Sequence, residues 1–204
     1  MSLQSERLLL QMERLGLSQM VQCYQSLAEQ AAQKDLSYLD YLETLLEAEQ
    51  QAKQERNRKL RMQLARFPYS KRLDQFDFSF QPSVDEKKIR ELASLRFIEQ
   101  KENVLILGPP GVGKTHLAIA LGREAIQEGF SVYLLSLQDL LAQWVRAREA
   151  NKLKEKLFQL SKPKLLILDE IGYLGLEPFG ASCLFQLVSG RYEQGSMILT
   201  SNKS

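Results

Sequence analysis

Cysteine is nearly missing from this sequence: only Cys23 and Cys183 occur in 204 residues, both in segments of helical pattern. Two such thiols read as reduced and buried, which excludes a disulfide-stapled scaffold and a cysteine-based metal site. Long apolar runs are missing too. None approaches the roughly 20 residues that cross a bilayer, and Glu6, Arg7 and Glu13 interrupt the N-terminal stretch where a secretory signal needs an unbroken apolar core. No membrane partner is expected, and the expected localisation is cytoplasmic. From about residue 5 to residue 66 there is no proline, and Gly16 is the only glycine, so little in that stretch breaks a helix.

What is present is the makeup of a globular protein, 44% hydrophobic and 25% charged, long enough for one ordinary domain and a smaller appendage. The net charge of +2 conceals an uneven distribution. Residues 1–50 carry −5, residues 51–72 carry +7, and residues 139–164 carry +4. Two basic blocks in a nearly neutral chain mark candidate polyanion sites. The candidates are Arg56, Arg58, Lys59 and Arg61 in the first block, and Arg146, Arg148, Lys152 and Lys154 in the second. A lysine-rich helix is by default a solvated face. If these residues grip DNA, the contacts go to phosphates, depend strongly on salt and carry little sequence preference.

Apolar residues recur at helical spacing in Leu8, Met12 and Leu15, in Met20, Tyr24 and Leu27, and in Leu39, Leu42, Leu45 and Leu46. They predict three or four helices over residues 1–66, the last long and basic and broken near Phe67 and Pro68. Ser18 and Ser37 are placed to cap helix starts. Residues 67–83, with Pro68, Pro82 and the aromatic string FDFSF, read as a linker. Over residues 84–204 helices alternate with short apolar strands. A helix at Asp85–Gln100 precedes a strand at Asn103–Leu107, and a helix follows, ended by Gly129. Strands at Val132–Leu135, Leu165–Leu168 and Met197–Thr200 alternate with helices at Leu137–Leu160 and Pro178–Glu193. This is the pattern of an α/β fold, a parallel sheet covered by helices on both faces, behind a small all-α domain.

Residues 108–115 read GPPGVGKT, matching G-x-x-x-x-G-K-[ST] between the apolar strand VLIL and an apolar helix. That context matters, because a glycine loop opening a helix wraps backbone N–H groups around phosphates and adds the positive end of the helix dipole. Gly108, Pro109, Pro110, Gly111, Val112 and Gly113 form the predicted ATP cradle. Lys114 is expected on the β- and γ-phosphates and the Thr115 hydroxyl on Mg²⁺. His116 is read as a polar residue near the nucleotide or on the subunit surface. In LLILDE, residues 165–170, a buried strand delivers Asp169 and Glu170 to its C-terminal edge, where open α/β sheets bind ligands. Asp169 is expected to hold Mg²⁺ through water, and Glu170 to orient or deprotonate the attacking water. In MILTSN, residues 197–202, another apolar strand ends in Asn202, an amide placed to position that water. Trp144 and the FDFSF aromatics read as packing residues. A metabolic P-loop kinase fits poorly, because Glu170 favours hydrolysis and no acceptor-binding lid is evident.

These three strings, in this order and spacing, resemble the AAA+ ATPases. The flanking residues resemble more narrowly the IstB-type transposition helper ATPases and their relatives, the DnaC-type helicase loaders. GPPGVGKTHLA at 108–118, LDEIGYL at 168–174, RYEQGSMILTSNK at 191–203 and YLETLLEAE at 41–49 carry the resemblance across essentially the whole chain. It implies ATP binding and hydrolysis at subunit interfaces, homo-oligomers that form rings or helical filaments on double-stranded DNA, and a transposase partner in target-site selection. A DnaC-like helicase loader is the alternative, and the two differ in what the helical N-terminal domain recognises.

The resemblance also implies what ought to follow Asn202: a fifth strand beside the P-loop strand, in sheet order 5-1-4-3-2, then an arginine finger and a helical lid. With Ser204 as the last residue, the expectation is a core ending before the lid, with a bare P-loop edge strand. Such a core binds ATP or ADP and hydrolyses poorly, since an arginine finger contributes roughly 10³–10⁵ in related enzymes. Arg191 is read as a helix-end cation near C-terminal carbonyls, with a substitute arginine finger as the alternative.

Overall fold

A computed structural model of the chain describes residues 3–172 and 177–202. The chain divides into two compact units, Met1–Lys59 and Leu60–Ser204. The first contains α1 (Leu3–Arg14), α2 (Ser18–Gln33) and most of α3 (Tyr38–Leu64). Met12, Met20 and Leu45 bury at its centre, with Leu9, Val21, Leu27 and Tyr41 packed against them. Ser37 caps α3 as expected. Its hydroxyl accepts from the Asp40 N–H at 3.1 Å, while Asp40 returns a bond to the Ser37 N–H at 3.1 Å.

Ser18 does not cap α2. It is the first helical residue, and Leu17, the residue before it, offers no side-chain cap. The cap comes from α3 instead. The buried Glu49 carboxylate accepts the Gln19 and Met20 N–H groups at 2.6 and 2.9 Å and pairs with Arg56 at 2.8 Å. A carboxylate at a helix N-terminus satisfies free donors and meets the positive end of the dipole. Burial pushes this carboxyl up, but the N–H of Met20, the Arg56 guanidinium and the N–H of Gln19 outweigh it and hold it below its ordinary value.

The boundary lies earlier than the proline suggests, and the physical reason is Ala65. This residue is fully buried in the core of the second unit, and its carbonyl accepts from the Leu134 N–H at 2.9 Å. Residues 67–83 are likewise no free linker: Phe67 packs against the same core, and a 3₁₀ turn forms at Leu73–Gln75.

The second unit is built on four parallel strands, β1 (Val104–Leu107), β2 (Val132–Ser136), β3 (Leu165–Asp169) and β4 (Ser196–Ser201), in the order β1-β4-β3-β2. The sequence LLILD shows why β3 is central. Leu165 and Ile167 join the core on one face, with Ile119, Leu121 and Ile126, while Leu166 and Leu168 join the core on the other, with Leu140, Trp144 and Leu187. Strand side chains alternate faces, so both must be apolar when helices cover both. The first face takes α6 (Lys114–Gln127) and the end of α3; the second takes α7 (Leu137–Glu149), α8 (Leu153–Ser161) and α9 (Pro178–Arg191). β1 is an edge strand, with Leu105 and Leu107 55% and 50% exposed.

Two predicted helices are each split. Residues 85–100 form α4 (Glu86–Ala93) and α5 (Arg96–Glu99), because Leu95 turns left-handed at φ 63°. Residues 137–160 break at Asn151, φ 54°, a residue type that tolerates this conformation. The second break bends the basic block around a corner.

Arg191 lies at the end of α9 but does not cap its own helix. It is 1% exposed and donates to the carbonyls of Leu160, Ser161, Pro163, Lys164 and Ser196. The cation therefore sits on the C-terminal carbonyls of α8, where it is favourable, and burial pulls it down to about 10. A guanidinium held this way cannot serve as an arginine finger.

Candidate nucleotide-binding site

β1 and β4 lie side by side and end together, Leu107 in register with Ser201. The chain then leaves β1 in the loop 108–113, whose Gly108 N–H donates to the Ser201 carbonyl at 3.2 Å. Gly111 and Gly113 take left-handed φ of 83° and 90°. At Gly113 a side chain is excluded twice over, since an added Cβ would lie 2.6 Å from the Phe76 ring. The loop delivers Lys114 and Thr115 to the first turn of α6. Lys114 is buried, and its ammonium donates to the Gly108 and Pro109 carbonyls at 2.8 and 2.7 Å. It thereby closes the loop into a ring and keeps one donor for a ligand.

The Thr115 hydroxyl lies 3.0 and 2.9 Å from the two oxygens of Asp169. Asp169 is also bonded by the Thr200 hydroxyl, which in turn accepts the Glu170 N–H at 3.0 Å. Glu170 stands exposed at φ 61°, and the next N–H, of Ile171, bonds the Thr200 carbonyl at 2.9 Å. Hydroxyls from α6 and β4 thus converge on the acidic end of β3, next to a ring of backbone groups shaped for phosphate. A model of the IstB-like ATP binding proteins matches residues 10–204. The chain belongs to that family.

The IstB-like chain is 50% identical over 191 residues to the ATP-binding protein of insertion sequence IS5376 from Geobacillus stearothermophilus, covering 94% of this chain and 76% of that protein. It is 48% identical over 192 residues to that of IS21 from Pseudomonas aeruginosa, covering 94% and 72%. Among solved structures it resembles the DnaC helicase loader, with TM-score 0.55 and 24% identity over 72% of this chain and 80% of that one. It also resembles the replication initiator DnaA bound to AMPPCP and single-stranded DNA, with TM-score 0.52 and 24% identity over 59% of this chain and 40% of that one. The chain thus spans about two fifths of that DnaA. The fold is therefore that of the P-loop AAA+ proteins, and the IstB-like chain is an ATP-binding protein of the insertion-sequence type.

Asn202 follows Ser201 at the end of β4, half-buried, beside the glycine loop. His116 donates from Nε2 to the Arg72 carbonyl at 2.8 Å and meets the Phe76 ring edge-on at 5.3 Å. Tyr173 and Leu174 of the LDEIGYL string, and Lys203, lie outside the described residues. Trp144 is fully buried and packs, as expected. The sequence reading missed Thr200 and Phe76. The signals were a threonine two residues before Asn202 and an aromatic in a segment taken for a linker.

The basic blocks fare differently. Arg56 is committed to Glu49, while Arg58 and Lys59 lie 3.2 and 3.9 Å from Glu55. Arg61 falls in the second unit, its guanidinium beside Gly129. Arg146 and Arg148 end α7, and Lys152 and Lys154 begin the next turn, all four exposed and in no ion pair among the described residues. Arg148 lies 4.1 Å over the Phe179 ring. Arg146 and Arg66 border a cavity of about 530 Å³ with Ser136, Gln143 and Asp169. No helix among the described residues is long and apolar enough to cross a membrane.

Proposed function

We propose that this protein hydrolyses ATP with Mg²⁺ as a helper of transposition, assembling as a homo-oligomer on double-stranded DNA and working with a transposase in target-site selection. The observation that carries the hydrolytic part is the hydroxyl network joining Thr115, Asp169, Thr200 and Glu170 beside the glycine loop. Thr115 and Asp169 offer hard oxygen donors of the kind magnesium takes, and no cluster of three acidic, cysteine or histidine side chains occurs among the described residues. That suits an ion that keeps its waters and arrives with nucleotide phosphates. Held by Thr115 and Asp169, magnesium would supply positive charge that offsets the charge on the phosphates. The chain's own residues do the rest. Loop N–H groups and Lys114 hold the phosphates, Glu170 orients the attacking water and takes its proton, and Asn202 fixes the water from the side of β4.

The cationic corner between α7 and α8 is the DNA contact that the geometry favours, because its four side chains are exposed and in no ion pair among the described residues. The relatives' occurrence in insertion sequences supports transposition over helicase loading; the DnaC likeness is one of fold. The test is anisotropy with labelled duplex DNA across a salt series. Each lost phosphate contact flattens the log–log salt slope by about 0.9. The Ala variant at 146, 148, 152 and 154 is expected to lose about 3.6 units of slope and the variant at 56, 58 and 59 less than about one. The reverse ranking refutes the assignment.

A further inference from the structure

Two exposed apolar surfaces of this chain carry opposite charge, one in each unit. In the first unit, α3 turns Tyr41 and Leu45 into the core, yet Leu39, Leu42 and Leu46 lie exposed. Their spacing is i, i+3 and i+7, a single stripe about 10 Å long at 1.5 Å per residue. Glu43 and Glu47 border the same surface hollow, exposed and in no ion pair among the described residues. In the second unit, α8 and α9 enclose a groove of about 590 Å³. Leu157 and Leu187 line it, and Gly190 leaves open space above α9. Phe158 lines it too, 63% exposed, midway along α8 between Lys154 and Lys162. These lysines are exposed, in no ion pair among the described residues, and eight residues apart, which is about 12 Å of helix. Lys162 lies 4.8 Å over the Phe158 ring. Residues 178–190 of the facing wall carry no charge at all, so nothing there repels an acid.

We propose that the groove between α8 and α9 receives the α3 leucine stripe of a second copy of this chain, with Glu43 and Glu47 set against Lys154 and Lys162. The inference rests on the homo-oligomer reading above and names a surface for it. Leucines at i, i+3 and i+7 are the anchors by which an amphipathic helix lies in a groove. The charges match in sign: residues 1–50 carry −5 and residues 139–164 carry +4. Opposite charge brings the two surfaces together and fixes their register. Because the two patches differ, the contact is heterologous. It repeats from copy to copy and builds a ring or a filament, where a patch paired with itself stops at a dimer. One helix in one groove covers less than a standard interface, so each contact is weak and the assembly depends on repetition.

The test is sedimentation velocity of the full chain across a concentration series, with AMPPCP and magnesium. DNA is left out, because Lys154 also belongs to the cationic corner. The variants are Lys154→Glu with Lys162→Glu, Glu43→Lys with Glu47→Lys, and, as a control of equal charge change, Lys87→Glu with Lys88→Glu on exposed positions of α4. Thermal melting checks each fold, and Lys154→Gln with Lys162→Gln replaces the first variant if that one melts early. Like charges set face to face are expected to weaken self-association at least about tenfold in each of the first two variants, and the control less than about twofold. An equimolar mixture of the first two sets opposite charges together again and is expected to recover wild-type association to within about threefold. Reversal variants that associate as wild type does, or a mixture that recovers nothing, overturn the inference and leave the groove to another occupant. A wild-type chain that stays monomeric here and on added duplex DNA refutes the homo-oligomer reading itself.

Discussion

Thr200 touches both acidic residues at the end of β3, and replacing it by valine tests how the site is held. Its hydroxyl donates to Asp169 and accepts from the Glu170 N–H, and the residue is 1% exposed. Glu170 sits at φ 61°, a conformation that disfavours a non-glycine residue by roughly 1–2 kcal/mol. Valine keeps the shape and removes both bonds. A hydrogen bond to a charged group contributes about 1.5–3 kcal/mol and a backbone bond about 1 kcal/mol, and bonds sharing one hydroxyl do not add in full. The expected loss is therefore about 2–3 kcal/mol. It lowers the melting temperature of the second unit by roughly 4–12 °C. Freed of its anchor, Glu170 relaxes out of the left-handed region and its carboxylate swings away from the water it serves. Hydrolysis is expected to fall at least about tenfold, the equivalent of 1.4 kcal/mol of misplacement, while the Kd for ATP changes less than threefold. Thr200→Ser retains the hydroxyl and is expected to recover most of both losses. Scanning calorimetry and a phosphate-release assay read the two quantities. A valine variant that melts within 1–2 °C of wild type and keeps its kcat, against the roughly 4–12 °C expected, refutes the argument that Thr200 holds Glu170.

Arg191→Ala strands five carbonyl acceptors at a buried helix end and is expected to cost about 3–5 kcal/mol, read as a lower urea midpoint at constant slope. Arg191→Lys, with three donors on a point charge, is expected to recover less than half, and full recovery would show that charge alone suffices. Glu49 gives the first unit a pH dependence of definite sign. Its folded carboxyl lies below the ordinary value of 4.5, so it stabilises the unit above that pH and the contribution disappears as pH falls through the folded value. Melting of the first unit followed from pH 7 to pH 3 is expected to drop below about pH 4.5 in wild type and to flatten in Glu49→Gln; parallel curves would remove Glu49 from the account.

The glycine loop was legible because everything it needs is local. A strand, two glycines with φ near 90°, a lysine and a helix start follow one another within eleven residues, 104–114. Asp169 and Glu170 were legible for the same reason, as the last residues of a strand whose burial on both faces shows in four consecutive apolar side chains. The breaks at Leu95 and Asn151 were not legible, because neither glycine nor proline marks them and only packing decides that the chain turns there. The fates of the charges were hidden as well. Arg56, Arg58 and Lys59 look in sequence like Arg146, Arg148 and Lys152, and only their carboxylate neighbours on α3 separate the two sets.

What the sequence by itself determined, then, is that this ATP-binding protein opens a helix with a glycine loop at Gly108–Thr115 and ends a buried strand in two acids, because those features are written in adjacent residues. Only the tertiary structure decided what holds the acids in place. Thr200 lies 31 positions from Asp169, and Phe76 lies 37 from Gly113. No helical or strand period links residues so far apart; what links them is the packing of β4 against β3 and the path of residues 66–78 over the start of α6.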